Sequence, residues 1–159
     1  MSESLAIAIG ELLRAQHRTL ALAESCTGGL IASLITDVPG SSQYFLGGVV
    51  AYAYEAKELL LDVPHDLLLQ NGAVSEPVTR VIAEHARKKF RADIAVGITG
   101  IMGPGGATAT KPLGLTYIAL SADDAEWIRH FVWTGNRAEN KTSSAHAALE
   151  ILHEYLKRT

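Results

Sequence analysis

Two short apolar runs that do not alternate with polar residues, each running into a glycine-rich polar turn, constrain this chain more than any other feature. Residues 19–23 (Thr-Leu-Ala-Leu-Ala) lead, past Glu24, into Ser25-Cys26-Thr27-Gly28-Gly29. Residues 92–98 lead into Thr99-Gly100-Ile101-Met102-Gly103-Pro104-Gly105-Gly106. A strand with one solvated face alternates apolar and polar residues, whereas a strand buried on both faces reads as a continuous apolar run, the habit of parallel sheets flanked by helices. Glycine-rich turns at the C-terminal ends of such strands are where open α/β sheets place their ligands.

The rest of the chain supplies the flanking layers. Leu5, Ile9, Leu12 and Leu13 recur at helical spacing and predict an amphipathic helix over residues 3–16, and residues 30–35 with their flanks predict another after the first turn. Pro39-Gly40-Ser41-Ser42 breaks that helix before a second strand at 47–54, and a helical pattern restarts at Glu55. Residues 65–71 predict a short helix closed by Asn71-Gly72. Ser75 caps a stronger one, with Pro77 in its first turn and Val78, Val81, Ile82 and Ala86 as its buried stripe. A fourth strand (115–120), a hairpin turn at Ala122-Asp123-Asp124-Ala125, an antiparallel fifth strand (126–133) and a helix from about Ala138 complete the pattern. The expected fold is a three-layer α/β/α sandwich with a mixed, mostly parallel five-stranded sheet and one strand reversed. With 159 residues, 48% of them hydrophobic, the chain reads as a single domain over residues 1–159. Residues 99–113 remain as one long loop, and long loops in compact domains tend to carry function.

Composition narrows the function. A formal charge of -3 argues against a nucleic-acid partner. The cluster Arg87-Lys88-Lys89 reads as the solvated end of a helix. Met1-Ser2-Glu3-Ser4 has no basic leader, and no apolar run reaches the ~18 residues of a membrane span, so a soluble, cytoplasmic protein without membrane contact is expected. The single cysteine, Cys26, excludes an internal disulfide and fits a reducing compartment. The six histidines form no HxH or HxxxH pair, so no metal site is expected. Neither GxGxxG nor a P-loop is present, which disfavours a kinase or NTPase.

What remains is a hydroxyl or thiol nucleophile with a lysine. Lys57, early in the helix after the second strand, suits a base because a helix N-terminus disfavours its charge. One candidate set is Ser42 with Lys57, and Tyr52 between them. A strand of about eight residues spans ~26 Å, so the two meet only if the intervening turn folds back. The rival is Cys26 with Glu24 and Lys57. The helix start after Gly28-Gly29 offers backbone N–H groups to an anion or oxyanion, unless Ser25 or Thr27 merely caps it.

Six motifs in order resemble a known family: Ala23-Glu24-Ser25-Cys26-Thr27-Gly28-Gly29, Gly40-Ser41-Ser42, Val50-Ala51-Tyr52, Glu55-Ala56-Lys57, Gly72-Ala73-Val74-Ser75-Glu76 and the loop from Thr99 to Gly106. Together they resemble the CinA (competence/damage-inducible protein) C-terminal domain, which also occurs alone as nicotinamide-nucleotide amidohydrolase, the NMN deamidase. The resemblance implies a CinA-like, anticodon-binding-domain-like sandwich that hydrolyses the carboxamide of nicotinamide mononucleotide to nicotinate mononucleotide and ammonia, in pyridine nucleotide salvage. It implies Ser42 as nucleophile, Lys57 as general base and Tyr52 as its proton-sharing neighbour. Ser25, Cys26, Thr27, Gly28, Thr99 and Gly100 are implied around the substrate, with Arg137 near its phosphate. No cofactor is implied, and a homodimer or higher homo-oligomer is. A catalytically silent pyridine-nucleotide-binding module of the same fold is the alternative. Two stretches depart from the family pattern: Ala107-Thr108-Ala109-Thr110, where acidic residues are usual, and Asn140-Lys141-Thr142-Ser143-Ser144, where further arginines are.

Overall fold

In the computed structural model, which describes residues 2–158, five strands form one sheet. They are β1 (Leu20–Glu24), β2 (Phe45–Val50), β3 (Ile94–Gly100), β4 (Leu115–Ala122) and β5 (Glu126–Val132), in the spatial order β2-β1-β3-β4-β5. Strands β2, β1 and β3 are mutually parallel, β4 is antiparallel to β3, and β5 is antiparallel to β4, so a single strand is reversed. Connection length explains the pattern. The links from β1 to β2 and from β2 to β3 contain helices, as parallel crossovers require, whereas β4 follows β3 through a loop and β5 follows β4 through a tight turn.

Helices α1 (Ser2–Ala15), α2 (Leu30–Thr36) and α6 (Arg137–Leu156) cover one face. Helices α3 (Tyr54–Leu61), α4 (His65–Asn71) and α5 (Glu76–Phe90) cover the other. Leu20, Leu22, Val96 and Ile98 pack with Ile9, Leu13, Ile35, Leu149 and Leu152 in the first layer. Ala21, Ala23 and Ala95 pack with Val78, Ile82 and Ala86 in the second. Each fully buried large aliphatic side chain contributes on the order of 1.5–3 kcal/mol. All five residues of β1 are buried, as its unalternating sequence requires of a strand with neighbours on both sides and helices on both faces. No helix among the described residues is long and apolar enough to cross a membrane.

The α/β/α sandwich expected from the sequence is therefore the one observed, with differences at boundaries. β2 ends at Val50 rather than Tyr54: Ala51 N–H makes a last bond to the carbonyl of Glu24, and Tyr54 already opens α3. Tyr52 consequently sits in a connection, not in a strand. A short 3-10 turn, Ser41–Gln43, precedes β2. In register, Glu24 of β1 lies beside Val50 of β2 and Ile98 of β3, so the residues that follow these strands are delivered to one edge of the sheet.

Candidate active site

At that edge the first residue after β1 meets the helix after β2. The Lys57 side chain, on the fourth residue of α3, is wholly buried, and its Nζ donates to Ser25 Oγ (3.0 Å), to the carbonyl of Ala51 (2.7 Å) and to that of Tyr52 (3.0 Å). Burial costs the ammonium its hydration and lowers the Lys57 pKa from 10.5 to about 8, with Cys26 opposing the shift. Desolvation, rather than the helix N-terminus, leads that shift. The acceptor set matches both protonation states. An ammonium fills all three acceptors; a neutral amine gives its two hydrogens to the two carbonyls and turns its lone pair to the Ser25 hydroxyl.

The neighbouring helix start is already occupied. Glu24, buried at the end of β1, accepts from the N–H groups of Gly29 (3.1 Å), Ile31 (3.1 Å) and Ala32 (2.8 Å), and from Thr27 Oγ1 (2.6 Å). Gly28 and Gly29 both take positive φ, 64° and 98°, which lets the turn wrap round the carboxylate. The expectation that this helix start receives a substrate anion or oxyanion is therefore corrected. Neither Ser25 nor Thr27 caps it directly: Glu24 does, satisfying the orphan donors and the dipole together.

Cys26 lies beside this pair, and burial, reinforced by the Glu24 charge, pushes its thiol up to about 12. The hydrogen bonds of Lys57 go to Ser25 and to two backbone carbonyls rather than to Cys26, and Glu24 is committed to α2, so the Cys26-Glu24-Lys57 alternative is not assembled as a set. Among the described residues no cluster of three or more metal-ligating side chains exists.

Over Ser25 opens a cavity of about 240 Å³, lined by Ser25, Cys26, Tyr52, Gly100 and Arg137, by Ala73 and Val74 from the α4–α5 connection, and by residues 101–103 and 105–106. Ser25 lines this cavity and keeps 9% of its surface exposed. Arg137, the first residue of α6, stands at the rim, donating Nη1 to the carbonyl of Gly103 (2.7 Å) and Nη2 to Tyr52 Oη (2.9 Å). Both of these acceptors are uncharged, which leaves the guanidinium charge available to an anionic ligand. Thr27, Gly28 and Thr99 do not line this cavity. Thr27 is committed to Glu24, and Thr99 is buried against Thr79 Oγ1 at 2.7 Å.

Ser42 is placed elsewhere. It is exposed in the 3-10 turn before β2, whereas Lys57 follows the C-terminal end of that strand. The six residues of β2 span ~20 Å between them, and no fold-back brings the hydroxyl round, so the expected Ser42–Lys57 pair is corrected to Ser25–Lys57. Tyr52 does neighbour Lys57, but it is its backbone carbonyl that takes the Nζ hydrogen; its phenol faces Arg137. The signal for Ser25 lay in the sequence: the first residue past one parallel strand and a residue in the first turn past its neighbour must approach each other.

The chain as a whole is similar to known proteins. The model of the CinA C-terminal domain matches residues 2–156. A CinA-like protein of Desulfotalea psychrophila is 47% identical over 148 residues, covering 93% of this chain and 36% of that protein. A putative competence-damage inducible protein of Moorella thermoacetica is 43% identical, covering 98% of this chain and 37% of that one. The chain thus spans little more than a third of the length of these curated relatives. Among solved structures, a CinA superfamily protein of Klebsiella pneumoniae superposes with a TM-score of 0.96 at 27% identity, covering 100% of this chain and 99% of that one. The competence/damage inducible protein CihA of Agrobacterium tumefaciens does so with a TM-score of 0.94 at 36% identity, covering 98% of this chain and 95% of that one.

Proposed function

The chain belongs to the CinA C-terminal domain family, and on that footing we propose that it is an amidohydrolase that converts nicotinamide mononucleotide to nicotinate mononucleotide and ammonia, with Ser25 as nucleophile and Lys57 as its base. The observation that carries this reading is the contact of 3.0 Å between Lys57 Nζ and Ser25 Oγ beneath an open cavity. An amide is a poor electrophile, so its hydrolysis needs a nucleophile activated at neutral pH, and a lysine with a pKa of about 8 supplies a useful neutral fraction.

The steps balance with these two residues. Neutral Lys57 takes the Ser25 proton as Oγ bonds to the carboxamide carbon, and the resulting ammonium stands beside the new oxyanion. Collapse breaks the C–N bond, and Lys57 returns the proton to the departing nitrogen, which leaves as ammonia. Water then attacks the acyl-serine, again giving a proton to Lys57; as the C–Oγ bond breaks Lys57 returns that proton to Ser25 Oγ, and the carboxylic acid loses its remaining proton to solvent and leaves as the carboxylate. Arg137 at the rim suits the phosphate of a mononucleotide. The chemistry calls for no cofactor.

Ammonia release from nicotinamide mononucleotide by the purified protein tests the reading. Turnover abolished in both Ser25→Ala and Lys57→Met supports it. A wild-type protein that binds the nucleotide without releasing ammonia is instead the silent binding module, and turnover that survives Ser25→Ala refutes the assigned nucleophile.

A further inference from the structure

The loop between β3 and β4 is held on two sides. On one side Arg137 binds the carbonyl of Gly103, and Asn140 Nδ2 donates to the carbonyl of Met102 (3.0 Å), which ties the loop to α6. On the other, Lys111 reaches away from α6 and donates Nζ to the carbonyl of Asn71, the last residue of α4. No carboxylate pairs with Lys111 among the described residues; the helix's terminal carbonyl accepts its charge instead. The approach depends on Gly72, at φ 74°, where an added Cβ would lie 2.8 Å from that nitrogen. The Lys111 backbone is fixed by a closed turn: Thr108 N–H donates to the Lys111 carbonyl (2.9 Å), and Lys111 N–H donates to Thr108 Oγ1 (3.1 Å).

The segment Lys111 grips is itself anchored. Ala73 N–H donates to Tyr54 Oη (3.2 Å) on the helix that carries Lys57, Ser75 Oγ donates to the carbonyl of Gly72 (2.9 Å), and Thr79 Oγ1 donates to that of Ser75 (2.6 Å). Ala73 and Val74 from the α4–α5 connection and Gly103, Gly105 and Gly106 from the glycine-rich loop all line the cavity. The Lys111 ammonium joins the two.

We propose that Lys111 is a positioning residue that clamps the glycine-rich wall of the cavity to the α4–α5 connection and so sets the width of the opening above Ser25 and Lys57. Its kinetic consequence rests on the amidohydrolase reading; its structural consequence does not. Lys111→Met keeps the length of the side chain and removes the donor, and Lys111→Arg restores a donor. In Lys111→Met, amide hydrogen exchange should quicken about tenfold within residues 71–75 and 103–111 and stay unchanged in β1, β3 and α5. Its KM for nicotinamide mononucleotide should rise roughly five- to tenfold while kcat changes less than about twofold, because the wall binds and does not react. Lys111→Arg should recover part of both effects. Exchange rates like those of wild type in Lys111→Met overturn the clamp, whether or not the protein hydrolyses the nucleotide. Faster exchange with unchanged KM keeps the clamp and overturns its role in the opening. A protein that releases no ammonia yet shows the exchange pattern retains the clamp while the amidase reading fails.

Discussion

Two serine-bearing turns flank the parallel pair β1 and β2, and they lie at opposite edges of the sheet. Ser25 follows the C-terminal end of β1, is buried, and meets a lysine from the helix after β2. Ser42 precedes the N-terminal end of β2 and is exposed to solvent. Both sit beside glycines and other small polar residues, so their local sequences read alike. What separates them is strand direction. Parallel strands deliver the residues after their C-terminal ends to one place, and the residues before their N-terminal ends to another about a strand's length away.

The largest effect expected from this contrast is on activity. Ser25→Ala and Lys57→Met should each lower ammonia release from nicotinamide mononucleotide by about a thousandfold or more, with the double variant little worse than either, since groups acting as one unit are not additive. Lys57→Met should stay folded, because methionine fills much of the same space and removes a costly buried amine. A steady-state assay beside a urea titration separates lost chemistry from lost fold.

Next is Glu24, which makes the first turn possible. In Glu24→Gln, an amide nitrogen must face backbone N–H groups that now point at carboxylate oxygens, so a donor–donor conflict replaces at least one bond. Stability should fall by about 2–3 kcal/mol, read as a lower urea midpoint. An unchanged midpoint would show that α2 does not need its buried acceptor.

Much of the fold was legible because its signals are local or periodic. The unalternating runs marked β1 and β3, the helical stripe of Val78, Ile82 and Ala86 marked α5, and the Asp123-Asp124 turn marked the antiparallel β4–β5 pair. The place of Lys57 early in a helix was legible too, and Arg137, singled out by family likeness, lines the cavity. The partner of Lys57 was not legible, because it depends on which strand ends share an edge, and Ser42 lay nearer in sequence. Glu24 was missed as a cap because it lies five to eight residues before the N–H groups it binds, outside the usual capping spacing. Thr99 was misplaced because its hydroxyl faces α5 rather than the cavity, a choice set by strand alternation past Ile98.

The pH response follows the buried lysine. Lys57 ionises at about 8 in the folded protein against 10.5 when free, so kcat/KM should climb about tenfold per unit below an apparent pKa near 8 and level off above it. Stability carries the same sign. Between about 8 and 10.5 the unfolded chain holds the proton that the folded one has lost. Wild type should therefore gain on Lys57→Met as pH rises through that window, by at most ~1.4 kcal/mol per unit, and the difference should be flat below it. A gap between their urea midpoints that narrows with falling pH below 7 would contradict the assignment.

The smallest expected effect is the sharpest on the opening contrast. Ser42→Ala removes an exposed hydroxyl in a 3-10 turn whose own bonds are made by backbone: Gln43 N–H to the Gly40 carbonyl, and Tyr44 N–H to that of Ser41. Stability should stay within about 0.5 kcal/mol of wild type and kcat/KM within about twofold, as for a surface change that touches no cap or network. If it instead matched the loss in Ser25→Ala, β2 would have to move by its own length to bring Ser42 to Lys57, breaking the ladder from Phe45 to Val50 against β1. Circular dichroism on the same sample would register that loss of sheet. Wild-type kinetics with an unchanged spectrum therefore assign the chemistry to the other edge, because each serine has been removed from an otherwise intact fold.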